Sequence, residues 1–104
     1  MIKVIIGYKL KENADIQPIL LKLRSYAMTF PGFVGAENLL SKQDNSIVVM
    51  QSNWENLENW KAWESSKVRQ QILQEAKKLL VEDPEVTIYT IMPTSGWVYT
   101  RLQS

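Results

Sequence analysis

The chain opens on an alternation. Ile2, Val4, Ile6, Tyr8 and Leu10 fall on one side of an extended backbone and Lys3, Ile5, Gly7 and Lys9 on the other, which predicts a strand over residues 2–10. The period then changes. Ile16, Ile19, Leu20, Leu23 and Ala27 recur at the spacing of one helix stripe, predicting a helix from an Asp15 cap to about residue 28, with Pro18 tolerated in its first turn. Pro31 forces Phe30 out of the helical region and Gly32 permits a turn. Residues 33–42 and 46–54 read as two strands of a hairpin turning at Asp44-Asn45. Asn56 opens a short helix carrying Leu57, Trp60 and Trp63. Ser65 or Ser66 caps a second helical segment, in which Val68, Ile72, Ala76, Leu79 and Leu80 form a stripe that ends before Asp83-Pro84. Val86 to Met92 is a fourth strand, rich in β-branched residues and closed by Pro93.

The order β-α-β-β-α-β is the ferredoxin-like plan, an α+β fold in which helices cover one face of a four-stranded antiparallel sheet. Residues 1–93 form this single domain. Residues 94–104 carry Trp97, Val98, Tyr99 and Leu102, too apolar for a free tail, and are expected to dock on the domain or on a partner. Ile47-Val48-Val49-Met50 and the fourth strand are apolar on both faces, whereas a sheet with one wet face alternates more cleanly. A second copy of the chain is the simplest cover for the open face, giving a homodimeric α+β barrel with a cavity in or beside each sheet.

A length of 104 residues fits one domain. Charge narrows the partners: 12 basic and 11 acidic side chains leave a formal +1, and no basic stripe is present to track phosphates, so nucleic acid is not expected. No apolar run reaches the roughly 20 residues of a membrane span, and the opening residues are too short and too alternating for a signal peptide. The chain contains neither Cys nor His. Disulfides, thiol chemistry, a Ser-His-Asp triad, a zinc helix and a proximal haem histidine are therefore excluded, and a cytoplasmic location is expected. The acidic residues are scattered, so no metal site is expected either.

The polar and aromatic candidates each have two readings. Trp54, Trp60 and Trp63 line an aromatic-binding cavity with an indole N–H to hold a ligand oxygen, or they anchor the helix to the sheet. Tyr8 and Tyr89 offer phenols to a cavity or sit at a rim. Asn38 and Asn53, if buried, need partners or a ligand. Met28 and Met50 are a pliant ligand wall or filler.

Three stretches together resemble the antibiotic-biosynthesis monooxygenase-like family of dimeric α+β barrels: Pro31-Gly32-Phe33-Val34-Gly35, Gln51-Ser52-Asn53-Trp54-Glu55-Asn56 and Trp60-Lys61-Ala62-Trp63-Glu64-Ser65. The resemblance implies a cofactor-independent monooxygenase that oxidises a small aromatic, quinol- or polyketide-like substrate with molecular oxygen. The haem-degrading members' Asn, Trp and His positions fall on Gly7, Trp63 and Leu73, so the iron ligand is missing. The polyketide oxygenases' Asn, Trp and Tyr fall on Met50, Trp54 and Trp60. With those replacements, the expected catalytic set is Tyr8, Asn53 and Trp63, and the expected substrate wall is Trp54, Trp60, Met28 and Met50, with no cofactor and no metal. The alternative is a non-catalytic homodimer of the same fold that binds a small ligand or a partner.

Overall fold

A computed structural model describes residues 1–92. The elements run β1 (Ile2–Lys9), α1 (Gln17–Ala27), β2 (Phe33–Leu40), β3 (Ile47–Trp54), α2 (Leu57–Glu64), α3 (Lys67–Lys77) and β4 (Glu85–Thr90). The sheet order is β2-β3-β1-β4, and every pairing is antiparallel. This is the ferredoxin-like plan, with its second helix broken in two. The break lies at Ser65-Ser66: Ser66 leaves the helical region, and its hydroxyl accepts from the Arg69 N–H at 3.3 Å and donates to the Trp63 carbonyl at 2.7 Å. Asn56 caps α2 in the same way, accepting from the Asn59 N–H at 2.9 Å. The first helix begins one residue later than its expected cap. Ile16 takes the cap position, and Asp15 still serves the free donors by accepting from the Gln17 N–H at 3.0 Å.

Register settles which side of each strand meets the helices. Ile2, Val4, Ile6 and Tyr8 of β1 stand opposite Trp54, Ser52, Met50 and Val48 of β3, and all eight are buried. Helix α1 lays Leu20, Leu23 and Ala27 against them, and α3 adds Ile72 and Ala76. Each large aliphatic side chain buried this way contributes roughly 1.5–3 kcal/mol. The opposite face is mixed rather than continuously apolar. Ile5, Leu39, Ile47 and Val49 alternate there with Lys3, Glu37, Gln51, Asn53 and Thr87. The apolar run in β3 is thus two-sided only in its first half.

The Pro31-Gly32 turn has a specific job. Gly32 has φ +82°, the left-handed region, and a Cβ there would collide with the Asn59 side chain. Its carbonyl accepts from the Glu55 N–H at 2.8 Å, tying the entry of β2 to the start of α2. An irregularity between Phe33 and Gly35 then adds one residue to β2. At the hairpin, the Asp44 carboxylate accepts from the Ser46 hydroxyl and N–H and from Lys9 Nζ, which together hold its pKa down at about 2. The extension expected at residues 94–104 lies outside the described residues.

Removing either cap hydroxyl or amide, as Ser66→Ala or Asn56→Ala, is expected to cost about 1 kcal/mol. Urea unfolding with an unchanged m-value checks it.

Candidate functional site

The three tryptophans gather on the helix side of the sheet. Trp54 ends β3 and is fully buried. Asn56 starts α2 immediately after it, so Trp60 returns over the sheet one turn later, and Trp63 follows on the same side of the helix. Phe33, Trp54 and Trp60 form an edge-on chain, with centroids 5.3 and 6.0 Å apart, and Trp63 meets Phe30 edge-on at 5.0 Å. Phe33, Trp54, Trp60 and Trp63, with Ile6, Leu23, Ala27, Met50, Ser52 and Arg69, surround an interior space. Its volume is about 10 Å³, room for roughly one water.

The polar groups divide by whether their hydrogen bonds are already made. Trp54 Nε1 donates to Ser52 Oγ at 3.2 Å, so that indole is spent on its own strand. Trp60 Nε1 and the Tyr8 hydroxyl are buried with no partner among the described residues. Tyr8 stands two positions along β1 from Ile6, on the same face. Burial pushes its phenol up to about 12, opposed by the nearby positive charge of Arg69. Tyr8 is therefore a hydrogen-bond donor near neutral pH and not a base.

Arg69 is the residue that the sequence reading missed. It is only 5% exposed, and its guanidinium carbon lies 5.2 Å from the centre of the Trp60 ring. One guanidinium nitrogen donates to the Glu64 carbonyl at 3.3 Å. Burial pulls its pKa down, and the charges of Tyr8 and Glu64 oppose that. A signal was present in the chain: Arg69, Ile72, Ala76 and Leu80 share one helix stripe, a charge on an otherwise apolar line.

Of the residues picked from sequence, Tyr8, Met50, Trp54, Trp60 and Trp63 come together on this side. Two do not. Asn53 alternates to the opposite face of β3, beside Lys3, Gly35 and Gln51, where its Oδ1 is buried without a partner among the described residues. Met28 is 60% exposed, because the residue after Ala27 turns about 100° away from the buried stripe. Asn38 and Tyr89 are exposed on the two outer strands. Among the described residues, no group of three Asp or Glu side chains is placed to hold a metal, and no helix is long and apolar enough to cross a membrane.

The buried phenol makes stability depend on alkaline pH. The folded state holds the Tyr8 proton up to about pH 12, whereas an unfolded phenol releases it near 10. This contribution is complete below pH 10 and fades towards pH 12, by about 3 kcal/mol in all. Tyr8→Phe is expected to flatten that part of the pH–stability curve. It should leave stability at pH 7 no lower, since it removes an unpaired hydroxyl. Denaturant titrations of both proteins from pH 8 to 12 check it.

No curated protein matches the chain. Solved structures share its fold. SnoaB, a cofactor-independent oxygenase from Streptomyces nogalater, is 12% identical over 91% of this chain and 96% of its own, with a TM-score of 0.79. Rv0793 from Mycobacterium tuberculosis is 12% identical over 91% and 98%, also with a TM-score of 0.79. A conserved protein from Methanosarcina mazei is 16% identical over 88% and 92%, with a TM-score of 0.76. At such identities the likeness is one of fold. The sequence itself carries the assignment: residues 1–75 match the family described as antibiotic biosynthesis monooxygenase, and the chain belongs to that family.

Proposed function

We propose that the protein is a cofactor-independent monooxygenase of a small aromatic, quinol- or anthrone-like compound, acting as a homodimer, with its substrate between the tryptophans and β1. The observation that carries this reading is a pair of buried, unpartnered donors on the helix side of the sheet: Trp60 Nε1, whose ring lines the aromatic-walled space, and Tyr8 OH, two positions along β1 from Ile6 of that space. Apolar walls hold a ring and exclude water, and fixed donors stabilise negative charge developing on its oxygen. The substrate loses a proton, and its electron-rich anion reduces oxygen directly. An anthrone-type CH2 with O2 then gives C=O and one water, so no outside reductant is required. SnoaB, which shares the fold, is a cofactor-independent oxygenase.

In this reading Tyr8 donates to the oxyanion, Trp60 Nε1 adds a second donor, and Trp63, Trp54 and Met50 form the wall. Asn53, on the other face, falls to the interface between subunits. That interface is built on Ile5, Leu39, Ile47 and Val49. A second reading is a dimer that binds a ligand without turning it over; in either reading a ring enters only if the tryptophans or α2 move aside.

Oxygen-electrode assays with anthrone and quinol substrates decide between the two. The expected result is uptake of one O2 per substrate, undiminished by chelators, and a loss of about 10²-fold in Tyr8→Phe. Binding without oxygen uptake overturns the enzyme reading in favour of the ligand-binding one. For the dimer, Val49→Asp is expected to convert the protein to monomer in sedimentation equilibrium, because it places a charge in the middle of the covered face.

A further inference from the structure

Arg69 is an expensive residue to keep where it is. Burying a cation costs several kcal/mol unless an anion or a full set of acceptors compensates it. Among the described residues, the guanidinium has one recorded hydrogen bond, to the Glu64 carbonyl, and the face of Trp60. No carboxylate pairs with it: the Glu64 carboxylate lies 3.9 Å from Lys61 Nζ instead. Its position makes matters worse. Arg69 sits in the first turn of α3, where the helix dipole already presents positive potential and no acidic residue offsets it.

Donors outnumber acceptors around it. A guanidinium has five N–H donors and no acceptor, and an indole N–H donates only. Burial keeps the Tyr8 phenol protonated, so it too is available as a donor. Each of these three side chains is at least nine-tenths buried. The Ser52 hydroxyl, the other polar group on the wall, already accepts from Trp54. A buried cluster with one positive charge and more donors than acceptors, its side-chain acceptors being the phenol and Ser52 hydroxyl oxygens, is complemented by an oxygen anion attached to an apolar ring.

We infer that Arg69 makes this pocket selective for aromatic ligands that carry an ionised acidic group, a carboxylate or an acidic phenol or enol, and that it discriminates against the neutral ring of the same shape. Once the tryptophans or α2 move aside to admit it, the ring packs against Trp54, Trp60 and Trp63. The anionic oxygen meets the guanidinium, with Tyr8 OH and Trp60 Nε1 as further donors. Arg suits this task better than Lys, because its planar fork binds a carboxylate through two parallel hydrogen bonds while lying over an indole. The inference rests on the reading of this space as the substrate site, and it adds what the substrate must carry.

The test is a matched pair of ligands, measured by calorimetry at pH 7.5 on the full chain. Benzoate is compared with benzamide, and 1-naphthoate with 1-naphthamide. The expected result is at least tenfold tighter binding of each acid than of its amide. Arg69→Gln is expected to bring the acid-to-amide affinity ratio down to within about twofold of one, and Arg69→Lys to restore only part of it. Equal affinity of acid and amide for the unaltered protein overturns the inference and leaves the aromatic site standing. Saturable binding of neither pair overturns both. The acid–amide comparison needs no variant, so a poorly folded Arg69→Gln does not leave the question open. A preference that survives in a folded Arg69→Gln also overturns the assignment to Arg69.

Discussion

The edge-on contact between Trp54 and Trp60 holds the candidate site together. One indole belongs to the sheet and the other to α2, and only a two-residue turn through Glu55 and Asn56 separates their elements. The contact fixes how α2 lies on the sheet. That orientation sets where the chain reaches Ser66, and hence where α3 starts and where Arg69 points. The Gly32 carbonyl, bonded to the Glu55 N–H, braces the same junction from the side of β2. Displacing either indole would disturb the aromatic wall, the cap of α3 and the buried cation together, because they are positioned in series.

Most of the fold was legible because it rests on periodicities that burial enforces. The stripe Ile16, Leu20, Leu23 and Ala27 and the alternation of β1 are buried as their spacing implies. The open face was harder to read. Period two already puts Gln51 and Asn53 on one face with Ile47 and Val49; what the sequence leaves open is which face of β3 the helices cover, and that decides where Asn53 lies. The site was legible in its aromatic residues and illegible in its charge. Trp60 and Trp63 announce themselves by type. Arg69, by contrast, is one of twelve basic residues, and its role depends on a burial visible only once the helix is rotated into place.

The same geometry redistributes the polar roles within the family pattern. Positions where the resemblance implies Asn and Tyr hold Met50 and Trp60 here. Both are buried on the wall; Trp60 keeps an indole N–H with no partner among the described residues, but Met50 brings no polarity to β3. Polarity reappears from β1 and α3, as the Tyr8 phenol and the Arg69 guanidinium. Trp54 keeps its place but has no donor to offer, because Ser52 takes its N–H.

Strand β4 carries a liability of another kind. Within the described residues it pairs only with β1, and all six of its residues are exposed. The stretch Val86-Thr87-Ile88-Tyr89-Thr90-Ile91 combines high β-propensity with no charge and no proline, the composition from which amyloid zippers form. Pro84 and Glu85 stand as gatekeepers on its upstream side. With a net charge of +1 and a pI near 7.9, the molecule has little electrostatic repulsion to keep such edges apart at neutral pH. Among the described residues, the strand that completes the sheet thus also presents an exposed edge with the composition of an aggregation site.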